Sequence, residues 1–373
     1  MPFAKAQFKK EYTVLAARIP KQATGSVVKA LADVALNMPR VRTVVQRDEE
    51  PDVRFICLAQ QYVRAGEVAL PSAAADAAAA ASADATESVP AQYVEAVRAA
   101  GGTFVPFTFA VGYEFMNSDS VLRALLPAEV HGSLVGFETA GHLAHFNLPP
   151  ALLPYKYTIG AVVLDKNAHL RTVVNKTGVI ETAFRTFPME LLAGVEDTHV
   201  TLRECGATYR FDYAKVYWNS RLAHEHEYVA LHAIAPGTLV ADLCAGVGPF
   251  AIPLAARGCV VHANDLNPDS FHALVANSQS NGVTHRLHAY NQDARAFVRG
   301  LIARGVDMRV ALINLPAAAL SFMDAFRGAY RHHPAVAAAA ARGASDAELH
   351  AALPPLPTVY VYCFSKTSCA RRA

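Results

Sequence analysis

Residues 239–250 read LVADLCAGVGPF, an apolar run that ends in a glycine turn and a proline. The apolar run predicts a buried strand, and the proline suits the first turn of a following helix, where its missing N–H costs no hydrogen bond. Gly246 and Gly248 allow the backbone to approach a ligand that a Cβ atom would push away. Together with Ala251, they also satisfy the pattern G-x-G-x-x-A, which fits NAD as well as S-adenosylmethionine. The stretch therefore predicts a nucleotide cofactor at a strand-to-helix turn and leaves the choice between these two open.

The chain around this stretch predicts a doubly wound α/β sheet over residues 213–373. Apolar runs alternate there with helical stretches, which is the pattern of a parallel sheet covered by helices. The predicted strands are Thr238–Leu243, Cys259–Asn264, Arg286–Tyr290, Val310–Asn314 and Thr358–Phe364.

Two further domains are predicted before this sheet. Short β-type runs such as Ala161–Leu164 and Thr172–Val174 alternate with turn signals, and they predict a strand-rich middle domain over residues 121–212. Residues 1–120 are predicted to form a small, variable α+β domain. Within it, Pro71–Ser88 holds almost only Ala, Ser, Asp, Thr and Glu, which offer too little apolar surface to offset the entropy of ordering. This segment, at about 71–88, is predicted to be a mobile insertion.

Composition limits the class of protein. A net charge of +2 over 373 residues means that nucleic-acid binding would depend on local basic patches. No apolar run reaches the roughly 18 to 20 residues that a bilayer span needs, so no membrane is expected. The 6 cysteines form no C-x-x-C pair and are expected to be reduced, intracellular thiols. No metal is expected either, because His224 and His226 stand two apart on a predicted helix and do not face a common point.

The N-terminus bears on localisation. Lys5, Lys9 and Lys10 precede the first acidic residue, which faintly suits an organelle-targeting segment, but an ordinary basic N-terminus is the favoured interpretation. We expect a cytoplasmic protein and leave nuclear and mitochondrial matrix pools open.

Acidic residues stand at the ends of the first three strands of the predicted sheet. Asp265 lies about twenty residues past the first glycine, where an acid commonly holds the two ribose hydroxyls of a nucleotide cofactor. Asp293 follows the third strand and is placed to accept a hydrogen bond from an adenine amino group. With Asp242, these acids predict a ligand crevice.

Two segments favour a methyltransferase that acts on a base. Asn314-Leu315-Pro316 follows the fourth strand, where a carboxamide and nearby carbonyls can hold a planar base beside a methyl donor. The segment at 217–227, YWNSRLAHEHE, combines aromatic rings, an arginine and carboxylates. A glutamate suits removal of the N1 proton of guanine, and an arginine suits the charge that then builds on O6.

With these residues in view, the chain from about Leu134 to Lys366 resembles the archaeal and eukaryotic tRNA (guanine-N1)-methyltransferases that modify guanosine 37, next to the anticodon. Besides the glycine turn, the matching blocks are GHLAHFNL at 141–148, YKYTIG at 155–160, LDKN at 164–167, TVVNK at 172–176, FR at 184–185, MELLAG at 189–194, the segment 217–226, NDLNP at 264–268, NLP at 314–316 with Phe322, and VYCFSK at 361–366.

The resemblance implies a class I Rossmann-like S-adenosylmethionine-dependent methyltransferase domain, preceded by the middle domain and by an N-terminal domain that reads the tRNA elbow. Glu225 would be the general base, and Arg185 would stabilise O6. Tyr217, Arg221 and Asn314 would shape the guanine pocket. The cofactor site would be formed by His226, Asp242, Gly246, Gly248, Asp265, Leu266, Asp293, Ala294 and Asn314.

The expected partner is tRNA with G at position 37, bound by a monomer with no obligate protein partner. A flipped guanine is predicted to stack on Tyr217 or Trp218. Basic side chains of the middle domain are predicted to hold phosphates. These side chains are Lys156, Lys166, Arg171, Lys176 and Arg185.

Some features depart from the resemblance. Residues 1–120 match weakly. The sequence ends soon after Lys366, where related enzymes usually continue with a helix and a closing antiparallel strand; if that segment is absent, an exposed sheet edge and weakened cofactor binding are expected. Alternative functions are the wybutosine-pathway aminocarboxypropyl transferase acting on the same nucleotide, a catalytically weak tRNA-binding homologue and, least favoured, an NAD-dependent dehydrogenase.

Overall fold

The computed structural model describes residues 3–38, 40–59, 89–178, 184, 186–316 and 318–363. The chain divides into two compact units, Met1–Ala128 and Glu129–Ala373. The predicted insertion at Pro71–Ser88 lies outside the described residues. The predicted boundary between residues 212 and 213 falls inside the second unit, where both sides of it contribute to one hydrophobic core.

The first unit is built on an antiparallel sheet with the strand order β2-β3-β1-β4. Alternate side chains of its central strand β1 point to opposite faces, as a period of two requires. Leu15, Ala17 and Ile19 share one core cluster with helix residues, and Val14 and Ala16 share another with Phe rings of the neighbouring strands. The elements are β1 Lys10–Pro20, α1 Thr24–Ala30, β2 Val44–Val45, β3 Val53–Cys57, α2 Ala91–Ala99, β4 Thr103–Val111 and α3 Ser118–Leu125.

The second unit begins with a mixed sheet of order β5-β6-β7-β8. Strands β6 and β7 run parallel, so the chain must cross over between them, and helix α4 makes that connection. The elements are β5 Glu138–Ala140, β6 Leu143–Phe146, α4 Lys156–Lys166, β7 Thr172–Lys176 and β8 Met189–Gly194.

Helix α4 corrects one sequence-based prediction. Thr172–Val174 lies in strand β7 as predicted, but the predicted β-type run Ala161–Leu164 is helical. A short apolar run does not distinguish a strand from a buried helix. The helix forms because it packs closely on β8, where a Cβ atom on Gly160 would lie 2.6 Å from Cβ of Leu192.

The last part of the second unit is a parallel sheet of order β13-β12-β11-β14-β15 with helices between its strands. Its 5 strands coincide with the five predicted runs, with ends that differ by at most two residues. The elements are α5 Ala223–Tyr228, β11 Leu239–Asp242, α6 Ala251–Ala256, β12 Val260–Asn264, α7 Pro268–Ser280, β13 Leu287–Tyr290, α8 Ala294–Ala303, β14 Val310–Asn314, α9 Pro334–Ala341, α10 Asp346–Ala351 and β15 Thr358–Tyr362.

A two-stranded hairpin, β9 His199–Glu204 and β10 Ala207–Asp212, connects the two sheets of this unit. Helix α7 supplies hydrogen-bond partners for the free backbone edge of β10. The Asn277 side chain accepts from the Arg210 N–H at 2.9 Å, and the Asn281 side chain bonds both the N–H and the carbonyl of Thr208. Two side chains at adjacent turns thus replace a third strand, and they fix the hairpin against the parallel sheet.

Candidate active site

A cleft of about 980 Å³, open to solvent, lies at the carboxyl ends of the parallel strands. The strand order reverses between β11 and β14, and this switch point is where ligands bind in open α/β sheets. Of the predicted site residues, the cleft is lined by Tyr217, His226, Gly246, Asp265, Leu266, Asp293, Ala294 and Asn314.

The two glycines of the turn after β11 have different roles. Both have positive φ, +55° at Gly246 and +101° at Gly248. A Cβ atom on Gly246 would meet nothing within 4 Å, and this residue lines the cleft. A Cβ atom on Gly248 would lie 2.8 Å from side-chain carbons of both Ile252 and Leu274. Gly246 therefore keeps the cleft open, whereas Gly248 allows the turn to pack on α6 and α7.

Asp265 is fixed by the backbone on both sides of its carboxylate. Oδ2 accepts the N–H of Gly246 at 2.8 Å, and Oδ1 accepts the N–H of Asn267 at 2.9 Å. Burial raises the pKa of this carboxyl, and the two backbone hydrogen bonds oppose that rise. The glycine turn and the end of β12 are thus held together by one acid that also faces the cleft.

Asn264 is a structural residue of the site to which the sequence analysis gave no role. It is fully buried, and its amide nitrogen donates to the carbonyls of Leu243 at 3.1 Å and Gln292 at 3.0 Å. Its Oδ1 accepts the Gln292 N–H at 3.0 Å. One side chain therefore joins the ends of three neighbouring strands; the sequence signal was a carboxamide at the end of an apolar run.

Asp293 and Asn314 stand on opposite sides of the glycine turn across the sheet. Oδ1 of Asp293 caps helix α8 by accepting the N–H groups of Arg295 at 3.0 Å and Ala296 at 3.2 Å. This leaves its second carboxylate oxygen for the cleft. Asn314 is the last residue of β14 and lines the same cleft with the aromatic ring of Phe322.

Glu225 and His226 are neighbours on α5 that point in different directions, as successive helical residues do. His226 is 2% exposed and lines the cleft, and its ring packs edge-on to Phe250 at 4.6 Å. Glu225 does not line the cleft. Its carboxylate accepts a hydrogen bond from the hydroxyl of Tyr362 at 2.9 Å, and the Tyr362 ring packs on Phe250 at 5.4 Å. Glu225 therefore stands behind a wall of the cleft, next to the residues that form it.

Arg221 and Asp242 are placed differently from the prediction. The Arg221 side chain is exposed and forms an ion pair with Glu138 of β5 instead of lining the cleft. Asp242 is fully buried within β11, because the strand continues through this residue and turns its side chain into the interior. Burial raises its pKa to about 8, and the backbone amide of Cys244 opposes that rise.

The predicted phosphate-binding cations are largely engaged within the protein. Lys156 pairs with Glu190 at 2.6 Å, and Arg171 pairs with Asp197 at 3.1 Å. Lys176 lies over the Tyr213 ring at 5.4 Å, and burial lowers its pKa. Arg185, the predicted partner of O6, lies outside the described residues, although its neighbour Phe184 lines the cleft.

The residues of the cleft fit the predicted cofactor. Asp265 and Asp293 offer acceptors for ribose hydroxyls and an adenine amino group, and Gly246 leaves room for a ligand. The buried Nε2 of His226 has no hydrogen-bond partner among the described residues, which indicates a polar ligand group at that point. In the described part of the chain, no cluster of three or more His, Cys, Asp or Glu could hold a metal ion, and no helix is long and apolar enough to cross a membrane.

Comparisons with known proteins identify the relatives of this chain. Residues 200–337 match the model of the TRM5/TYW2 methyltransferase domain, and residues 119–198 match that of the TYW2 N-terminal domain. The tRNA (guanine(37)-N(1))-methyltransferase of Phytophthora infestans is 40% identical over 368 residues, which span 97% of this chain and 80% of that protein. The enzymes of the same name from Schizosaccharomyces pombe and Danio rerio are each 36% identical, over 87% and 99% of this chain and 77% and 72% of their own.

Solved structures show the same fold. Trm5b from Pyrococcus abyssi superposes with a TM-score of 0.59 at 22% identity, covering 85% of this chain and 81% of its own. The aTrm5 chain of a complex with tRNALeu also gives 0.59, at 18% identity, with 83% and 82% covered.

Proposed function

Because the chain belongs to the tRNA (guanine(37)-N(1))-methyltransferase family, we propose that it transfers the methyl group of S-adenosylmethionine to N1 of guanosine 37 in tRNA. The observation that carries the proposal is one cleft whose lining includes both the acids that suit a nucleotide cofactor, Asp265 and Asp293, and the groups that suit a base, Asn314 and Tyr217. A cofactor and a target base can therefore be held side by side at the switch point of the sheet.

The cofactor end of the cleft would hold S-adenosylmethionine through the carboxylates that follow β12 and β13. Asp265 would accept the ribose hydroxyls, and Asp293 the adenine amino group, with Leu266 and Ala294 lining the adenine. When bound, S-adenosylmethionine supplies an electrophilic methyl carbon attached to a sulfonium sulfur.

The base end would receive guanine after it leaves the anticodon loop. Tyr217 is 38% exposed and lines the cleft, so its ring is available to stack on an unstacked base. The carboxamide of Asn314 offers both a donor and an acceptor to the edge of guanine. These two side chains would orient N1 toward the methyl donor.

Glu225 is proposed as the general base, which removes the proton from guanine N1 and leaves the N1 electron pair for the bond to carbon. The Tyr362 hydroxyl holds one oxygen of its carboxylate, so the other remains for the proton. Glu225 does not line the cleft and would have to turn toward it to act; it adjoins His226 on α5, and its partner Tyr362 packs on the cleft residue Phe250. Arg185 is proposed to stabilise the charge on O6.

The test is methyl transfer to unmodified tRNA transcripts that carry G or A at position 37, followed by nuclease digestion and mass analysis. We expect 1-methylguanosine only from the G37 transcript. Failure to detect this product from the G37 transcript would contradict the proposed activity. Glu225→Gln should lower kcat on the order of a hundredfold or more while tRNA still binds. Glu227→Gln, an exposed neighbour on the same helix, is the matched control.

The same experiment separates the second candidate, aminocarboxypropyl transfer from the same cofactor to the same nucleotide. The match of residues 119–198 to the TYW2 N-terminal domain is the observation in its favour. Asn314-Leu315-Pro316 favours methyl transfer. The two products differ in mass, so a single digest decides between them.

We propose that the enzyme works as a monomer without an obligate protein partner. Light scattering during gel filtration tests this, and a stable dimer would contradict it. We also propose a mainly cytoplasmic enzyme, with nuclear and mitochondrial matrix pools as outcomes to be scored by fractionation.

A further inference from the structure

The hairpin β9–β10 places a buried carboxylate directly against helix α5. Its turn consists of two residues, Cys205 and Gly206, with φ of +48° and +76°. Two positive φ values in a two-residue loop define the tight type I′ turn, which cysteine adopts at a cost. The Cys205 thiol lies 3.7 Å from the carbonyl of Ala223 at the start of α5. The turn therefore packs on this helix and brings Glu204, the last residue of β9, beside it.

The Glu204 carboxylate forms a hydrogen bond with Nδ1 of His226. The side chains of Glu204 and His226 are only 10% and 3% exposed. Because a carboxylate can only accept, Nδ1 carries the hydrogen and Nε2 faces away from Glu204. The imidazole is also held between Trp218, at 6.3 Å, and Phe250, at 4.6 Å. One rotamer of His226 is thus fixed on three sides, and its buried Nε2, at the cleft, has no hydrogen-bond partner among the residues that the structure describes.

The position of His226 along the cleft indicates which part of the cofactor it meets. Asp293 follows β13 and Asp265 follows β12, so the proposed adenine and ribose sites lie over these two strands. The next strand in the sheet is β11, and the Phe250 ring that contacts His226 follows β11 at the start of α6. An extended cofactor that continues in this direction brings its amino-acid portion to His226.

We propose that Glu204 is a positioning residue for the cofactor: it holds His226 so that Nε2 binds the amino-acid portion of S-adenosylmethionine. The inference rests on the proposed function for the identity of the ligand. It assigns Glu204 no contact with the cofactor, and its effect passes entirely through the orientation of one imidazole ring.

Two ligands that share the adenosine portion test the proposal by calorimetry on the full chain. S-Adenosylhomocysteine carries the amino-acid portion, and 5′-methylthioadenosine lacks it. Glu204→Ala should weaken the affinity for S-adenosylhomocysteine about tenfold, the loss expected for a hydrogen bond to a charged or buried group. The affinity for 5′-methylthioadenosine should stay unchanged within about twofold. Glu204→Gln keeps an oxygen that accepts from Nδ1 and should restore most of the affinity. Glu227→Ala removes an exposed carboxylate from α5 and should change neither ligand.

A double variant shows whether Glu204 acts through His226. In a His226→Ala background, Glu204→Ala should cause no further loss of S-adenosylhomocysteine affinity. A further loss, or an equal loss of both ligands in the single variant, would overturn the proposal. A wild-type protein that binds both ligands but does not methylate tRNA would refute the proposed function alone, whereas one that binds neither would refute both.

Discussion

The Tyr362 hydroxyl donates a hydrogen bond to Oε1 of Glu225 over 2.9 Å, which joins strand β15 to the helix that precedes the first strand of the sheet. Burial and the neighbouring Glu225 raise the pKa of Tyr362 well above its usual value, so the hydroxyl keeps its proton over the working pH range. The proposed base is therefore oriented by a permanent donor that is 137 positions away in the sequence.

We predict that Tyr362→Phe lowers kcat about tenfold, because it removes one hydrogen bond to a charged group and keeps the ring that packs on Phe250. Binding of S-adenosylhomocysteine should not change. The measurement is single-turnover methylation of G37 tRNA beside calorimetry. Tyr360→Phe, on the same strand, is the matched control, since the Tyr360 hydroxyl donates to the Ala233 carbonyl and not to Glu225. Equal losses in the two variants would mean that the effect is one of stability.

A second prediction concerns Asp265, whose two oxygens accept the N–H groups of Gly246 and Asn267. Asp265→Asn replaces one acceptor by an NH₂ group, which leaves a buried backbone donor unpaired at a cost of about 1–3 kcal/mol. We expect a lower melting temperature and at least a tenfold weaker affinity for S-adenosylhomocysteine. Asp269→Asn, on the first turn of α7, is the control because that carboxylate is half-exposed. An unchanged affinity would remove Asp265 from the proposed ribose site.

The sequence predicted the parallel sheet well because each of its strands is an apolar run bounded by turn residues. It failed at Ala161–Leu164, where a short apolar run carries no period, and packing of Gly160 on Leu192 decides for a helix. The sequence also predicted that Asp242 lines the cleft, but its side chain is buried. A position near a strand end does not determine to which face the side chain points.

The supporting contacts of the site could not be predicted from local sequence. Glu204 meets His226 and Tyr362 meets Glu225 only after the hairpin and strand β15 have docked. Such pairs join elements that are remote in sequence. Glu225, His226 and Tyr362 each lie in a block that the sequence made visible, but no local pattern pairs them across the chain. Glu204 lies in none of these blocks, so its contact with His226 had no sequence signal.

The two glycines of the turn provide a third prediction, because they differ in what surrounds them. Gly248→Ala places a Cβ atom 2.8 Å from the Ile252 and Leu274 side chains at positive φ, and should cost about 3 kcal/mol of stability. Gly246→Ala meets no atom within 4 Å and should cost only the strain of its φ, about 1–2 kcal/mol.

Cofactor binding should separate the same two variants. Gly246→Ala adds a methyl group to the lining of the cleft, so it should weaken the affinity for S-adenosylhomocysteine more than its small effect on stability implies. In Gly248→Ala, the main effect should be a lower free energy of unfolding. Urea denaturation and calorimetry on both variants provide the comparison, and the reverse ranking in stability would contradict the packing role of Gly248.

The last prediction follows from the buried Asp242, whose pKa is raised to about 8 by burial. An unfolded chain releases this proton near pH 3.9. Between these two values the folded protein holds one more proton than the unfolded chain, so the contribution of Asp242 to stability falls as the pH rises from about 4 to about 8 and then levels off. Asp242→Asn cannot ionise, and its free energy of unfolding should decline less over this range. Urea denaturation from about pH 5 to about pH 8 measures the slopes, with Asp269→Asn as the exposed control. Parallel curves for wild type and Asp242→Asn would mean that Asp242 is already ionised in the folded protein, and that a cation or a donor must reach it inside the sheet.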